Sequence, residues 1–228
     1  MSSLSWPLRG ALAASMLVGL CTVALGGGID LIRAGEAAQR AGNMNAALTA
    51  YAAAIQSSDL TASQRAYAFA KRGGVRGYLG EAVRGIDDYS RAIELDSLLA
   101  NAHSLRGYLR GVIGQYDLAE KDQLAAIALS RSQQSNDLVA WELQHYADIW
   151  RRRGDYDQAL AYCDKAEQLK PRADATFRRA WIYLDMGRLE QARAEYQKFV
   201  VLEAAESSAG GQYWPDERGA IGRLQELR

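Results

Sequence analysis

Two histidines, His103 and His145, and two cysteines, Cys21 and Cys163, are the side chains of this 228-residue chain best suited to ligate a metal or begin nucleophilic chemistry. Of the two histidines, only His145 has an acidic neighbour at helical spacing. Asp148, three residues on, would share its helix face. Such a pair can orient an imidazole or supply half of a metal site. Catalysis needs a nucleophile, a base and an orienting group, and a closed metal site needs about four ligands. No further partner is visible, and the sequence holds no HExxH, no paired cysteines and no phosphate-cradling glycine loop. The glycines of KRGGVRGYLG (71–80) are spaced for helix packing, not for a strand-to-helix phosphate turn. The expectation is a non-enzymatic protein with no catalytic residue, no metal and no cofactor. The two cysteines cannot form a disulfide framework, and Cys163 reads as a small buried hydrophobe.

The elements that would position these residues are helical. Proline is scarce (3), Ala and Leu dominate, and 49% of the chain is hydrophobic. Lys plus Arg (27) balance Asp plus Glu (27). Neither a basic tail nor a basic patch interleaved with stacking aromatics is present, so a nucleic-acid partner is not expected.

Residues 1–28 differ from the rest. Arg9 is their only charge, and the strongly apolar stretch from Leu12 to Leu25 is 14 residues long. That length fits the apolar region of a signal peptide, about 7–15 residues. With its flanking glycines the segment could also just cross a bilayer, which takes about 20 residues. Thr22-Val23-Ala24 and Ala24-Leu25-Gly26 offer cleavage contexts, neither of them a strong Ala-x-Ala site. A cleaved signal and an uncleaved anchor therefore both stand, the anchor touching the membrane through residues 10–28. The leucine before Cys21 does not resemble the small residue of a lipidation signal. Both readings place the remainder outside the cytoplasm, periplasmic or anchored in the inner membrane.

Beyond residue 28 a unit recurs. Turn-like glycines stand at Gly42, Gly80, Gly114, Gly154 and Gly187, spaced by 38, 34, 40 and 33 residues. Seven residues before them are Gly35, Gly73, Gly107, Ala147 and Ala180, all small. Five after are Ala47, Gly85, Ala119, Ala159 and Ala192, again small. Nine after are Tyr51, Tyr89, Gln123, Cys163 and Tyr196. Two short helices joined by a tight turn explain the columns: small residues let the helices approach and large ones fill the space between them. A period in this range marks a helical repeat array whose units must stack to bury a core.

The pattern resembles the tetratricopeptide repeat (TPR) family, most closely in YAFAKRGGVRGYLGEAVRGIDDYSRAIELDS (67–97) and in RRRGDYDQALAYCDKAEQLKP (151–171). Arg76 and Arg110 stand where the family often has a large apolar residue. The resemblance implies an all-α, right-handed superhelical solenoid over 29–205. Its five helix-turn-helix units run at about 29–60, 61–97, 98–135, 136–171 and 172–205. The two long spacings imply longer second helices or linkers near 57–64 and 130–137. Residues 206–228 would form a loop and a capping helix starting near Pro215.

In that family the first helices line a concave groove for peptides or partner segments. Carried over column by column, this gives Arg33, Lys71, His145 and Arg178; Glu36, Tyr108, Asp148 and Trp181; and Tyr67, Asn101 and Trp141 as groove candidates. Aromatics and arginine on a concave surface are what binding hot spots use. An acidic or carboxylate-ended peptide would suit Arg33, Lys71 and Arg178. The family's Lys/Asn carboxylate clamp is not reproduced, because the column ten before each glycine is Ile32, Ala70, Ser104, Gln144 and Phe177. The expected function is a protein-interaction scaffold. The alternative is a structural subunit of a membrane complex tethered by the N-terminal helix.

Overall fold

A computed structural model describes residues 27–171, 173–206 and 215–227. The apolar run that carries the signal-or-anchor reading lies outside them. Among the described residues there are eleven helices and no strand: α1 (Gly28–Arg40), α2 (Met44–Gln56), α3 (Ala62–Tyr78), α4 (Ala82–Leu95), α5 (Ala100–Val112), α6 (Tyr116–Ser132), α7 (Asn136–Arg153), α8 (Tyr156–Leu169), α9 (Ala173–Asp185), α10 (Leu189–Glu206) and α11 (Pro215–Gln225). They pack in antiparallel pairs, α1 with α2 through α9 with α10, and each pair stacks on the next.

Each joint turns on a glycine of the same conformation. Gly154 ends α7 in the left-handed region (φ 84°), and the other four turn glycines share that conformation. There glycine avoids the Cβ clash that a side chain would meet. Asp155 then caps α8 by accepting a hydrogen bond from the Gln158 N–H at 3.1 Å. The small columns are the contact points between paired helices. Ala47, Ala119, Ala159 and Ala192 are fully buried. A Cβ on Gly107 would lie 3.0 Å from the Ala119 carbonyl oxygen and 3.1 Å from Asp122 Cβ. We expect Gly107→Val to cost about 1–3 kcal/mol by overpacking, measured as a lower urea midpoint with an unchanged slope.

The first long spacing is taken up differently from the expectation, and the second in part as expected, by a longer second helix. At the first, α2 has 13 residues like α1, and the added length is in the first helix of the next pair, α3, with 17. At the second, both α6 (17 residues) and α7 (18) are longer than α5 (13). The arginines that depart from the repeat pattern are half-buried clamps on buried aspartates. Arg72 and Arg76 hold Asp88 at 2.7–2.9 Å, and one period later Arg106 and Arg110 hold Asp122 at 2.7–2.9 Å.

α11 lies against α9 and α10. Ala220 and Leu224 join a cluster with Phe177, Trp181, Tyr196 and Phe199. From the same helix the Arg218 guanidinium sits 4.7 Å from the ring centre of Tyr78, at the end of α3. No helix of the described residues is long and apolar enough to cross a membrane.

Candidate functional site

The first helices of the pairs, α1, α3, α5, α7 and α9, carry the eleven candidate residues, and the structure divides them into two groups. The N-terminal group is open. Arg33 is exposed and, among the described residues, pairs with Asp30 on its own helix at 3.5 Å. Glu36 accepts a 2.6 Å hydrogen bond from the Tyr67 hydroxyl of the next pair, and Lys71 Nζ lies 3.8 Å from the same carboxylate. Lys71 also sits 5.0 Å over the Tyr67 ring. Partial burial, with Glu36 beside it, pushes the Tyr67 hydroxyl up to about 12, so it stays a donor. Tyr67, Lys71 and the exposed Asn101 line one recess of about 280 Å³, together with Gln39, Tyr78 and Leu105.

Sequence reasoning missed Gln39 and Tyr78, whose columns in the other pairs show no shared type. Tyr89, singled out as packing, also reaches this recess. Its hydroxyl is buried without a hydrogen-bond partner, a rarity that calls for a physical reason.

The C-terminal group is closed. Tyr108, His145, Asp148, Arg178 and Trp181 are all buried, and Trp141 is half-buried beside them. Asp148 is the hub. It accepts from Arg151 Nε at 2.9 Å and Arg152 Nε at 2.5 Å, with Arg178 Nη1 at 3.7 Å. Arg178 in turn donates to Glu217 of α11 at 2.6 Å, and Arg151 pairs with Asp185. The Arg151 guanidinium stacks 3.7 Å from the Trp181 ring centre. Burial pushes the Asp148 carboxyl up, but the three guanidiniums outweigh it and hold it well below the usual carboxylate range. His145 lies between Tyr108 (5.6 Å) and Trp141 (4.2 Å), ring against ring. Burial, with Arg178 adding, pushes it down to about 3, so it is neutral.

The expected cationic column of Arg33, Lys71 and Arg178 is thus not one surface. Arg178 is sealed beneath α11, because a bare guanidinium at that depth needs carboxylates on either side. His145 and Asp148 are side by side on α7, but cation and aromatic neighbours enclose them. Among the described residues, His, Cys, Asp and Glu do not gather in groups of three that could hold a metal ion.

Another buried acid, Glu142, went unnoticed in the sequence. Glu142, 1% exposed, accepts from Gln123 Nε2 at 2.6 Å, and Gln123 also contacts Ser104. Burial raises its carboxyl from an ordinary 4.5 to about 7. The only clue was Gln123, the polar member of an otherwise large or apolar column. A raised folded-state value means that Glu142 contributes stability fully below pH 4.5 and loses it as pH rises through 7. His145 works in the opposite direction, losing its contribution as pH falls from 6.5 toward 3. We expect Glu142→Gln to match the parent below pH 5 and to exceed it at pH 8 by on the order of 2 kcal/mol, measured by urea unfolding across pH.

Comparison with known proteins agrees with the geometry. Residues 151–199 match the family model described as tetratricopeptide repeat. No curated protein sequence matches. Among solved structures, a crystal structure of MamA is 19% identical, with TM-score 0.55, over 81% of this chain and 97% of that one. TTC0263, a thermophilic TPR protein of Thermus thermophilus, is 16% identical, with TM-score 0.62, over 88% and 98%. A Rap protein complexed with competence and sporulation factor is 15% identical, with TM-score 0.66, over 85% of this chain and 55% of that one. Residues 151–199 thus resemble tetratricopeptide-repeat sequence, and the array of paired helices has a tetratricopeptide-repeat-like fold.

Proposed function

We propose that this protein is a non-enzymatic interaction scaffold that holds a peptide or partner segment in the recess between α1, α3 and α5. The observation that carries the reading is the recess itself. It offers an aromatic wall (Tyr67, Tyr78), a half-exposed cation whose carboxylate contact among the described residues is at 3.8 Å (Lys71), and an exposed amide (Asn101). A carboxylate of an extended segment can take Lys71 while its side chains pack on the tyrosine wall. The Rap protein of similar fold is complexed with competence and sporulation factor, which supports a binding role for this fold. The scaffold works outside the cytoplasm or at the membrane, a reading that rests on the apolar N-terminal run.

The test is cross-linked capture of partners from the native host, followed by binding measurements on Lys71→Glu, Tyr67→Ala and Asn101→Ala. We expect Lys71→Glu to weaken capture about tenfold or more, with the fold intact. Capture unchanged in all three variants overturns the assignment. The tethered-subunit reading is separated by mass spectrometry of the mature N-terminus, since a shortened chain excludes an anchored subunit.

A further inference from the structure

The outer face shows one junction that breaks the rule of its siblings. Where each pair meets the next, a side chain eight residues before the turn glycine reaches between two second helices. Between α4 and α6 it is Arg106, which bonds Ser90 at 3.1 Å and Asp122 at 2.7–2.9 Å. Between α8 and α10 it is Arg179, 3.0 Å from Asp164 and 3.8 Å from Glu195. In the same column Arg72 bonds Asp88 of α4, with Ala52 of α2 in the position of Ser90 and Asp164. Between α6 and α8 the same three columns read Leu124, Tyr146 and Tyr162. The arginine and carboxylate common to the other three junctions are both replaced by tyrosine, and Leu124 stands where two of them have serine or aspartate.

The consequence is an opening instead of a clamp. Leu124, Ile127, Leu143, Tyr146, Tyr162 and Leu169 line a pocket of about 430 Å³. The two tyrosine rings stand 4.5 Å apart, and Leu124 is half-exposed. Arg131 and Lys165 stand at its rim, and neither has a carboxylate within 4 Å among the described residues. The Lys165 ammonium lies 4.4 Å from the Tyr162 ring centre, held over the pocket wall. A neighbouring cation, Lys121, stands three residues before Leu124 on the exposed side of α6. Acids that could neutralise this rim are engaged elsewhere: Glu120 by Tyr146 and Arg153, Glu167 and Asp164 by Arg179, Asp137 by Lys170.

We propose that this pocket is a second binding site, separate from the inner recess, for a partner segment that presents a large apolar side chain next to carboxylates. The side chain fills the space the clamp occupies in the other junctions. The carboxylates pair with Arg131 and Lys165, which the chain itself leaves unneutralised. Apolar floor and cationic rim together select acidic-aromatic segments over purely acidic or purely apolar ones.

The test uses a capped, fluorescein-labelled peptide of one phenylalanine flanked by glutamates on each side, titrated against the full chain. Backbone amide shifts by NMR locate it. We expect shifts on α6 and α8 around Leu124 and Tyr162. The charge reversal Arg131→Glu with Lys165→Glu, both on the surface, should weaken binding about tenfold or more. Restoring the sibling clamp with Leu124→Ser, Tyr146→Arg and Tyr162→Asp should abolish it with helicity retained, and Lys71→Glu should leave it unchanged. Absence of shifts at millimolar peptide overturns the proposal, as do shifts confined to α1, α3 and α5. So does equal binding by a lysine-flanked peptide or by the charge-reversed variant, whose fold does not depend on those exposed groups.

Discussion

Asp148→Asn is expected to destabilise the protein by about 3–5 kcal/mol, the cost of removing one member of a buried ionic network. Its carboxylate sits against Arg151, Arg152 and Arg178. The amide keeps the shape but supplies no charge, so Arg152 loses the carboxylate it bonds at 2.5 Å. Arg151 retains Asp185 and Arg178 retains Glu217, which sets the loss below complete unfolding. Urea denaturation at pH 7 measures it. The pH dependence distinguishes charge from packing. The folded-state carboxyl is depressed, so its contribution is present above about pH 4 and is lost only as pH falls through the folded value. Parent and variant stabilities should therefore converge in strong acid. A difference that stays constant with pH would assign the effect to packing instead.

Ending the chain after residue 206 is expected to have an effect of similar size, felt at a distance from the cut. Removing α11 uncovers the Phe177, Trp181, Tyr196 and Phe199 cluster and takes Leu224 out of it. A buried leucine side chain contributes about 1.5–3 kcal/mol. Arg178 also loses Glu217, and a buried charge deprived of a partner costs about 3–5 kcal/mol. Against a total stability of roughly 5–15 kcal/mol, α9 and α10 should then open locally. Hydrogen exchange would show it as lost protection in α9 and α10, with α1 to α5 retaining theirs. Leu224→Ala separates the terms, with an expected loss of about 2–5 kcal/mol from the apolar part alone. If the truncated chain exchanges like the parent throughout, the cluster does not depend on α11.

The repeat was legible in the sequence because its signals are local. A turn glycine, a small residue seven before and another five after need only one hairpin to make sense, and all five turn glycines have positive φ. The Arg72–Arg76–Asp88 and Arg106–Arg110–Asp122 clamps were half legible. Arg76 and Arg110 stood out as departures, but their partners lie twelve residues on, across the turn, where no single-helix pattern shows them. The division of the inner face was not legible. Arg33, Lys71 and Arg178 share a column, and nothing in that column says that Glu217, 39 residues further along, will cover the last of them. That depends on where α11 lands, which is set by how the stacked pairs curve.

The contact of Arg218 with Tyr78 bears on how the chain folds. In an array where each unit touches only its neighbours, stability is a sum of local terms, and the ends melt before the middle. Here a residue after the fifth pair reaches back to the second. Forming that contact requires the intervening units to be ordered at once, which links their equilibria. Unfolding should accordingly be closer to all-or-none than in an open-ended array of the same length. Arg218→Ala should broaden the transition more than it lowers its midpoint, because what it severs is the coupling between the two ends.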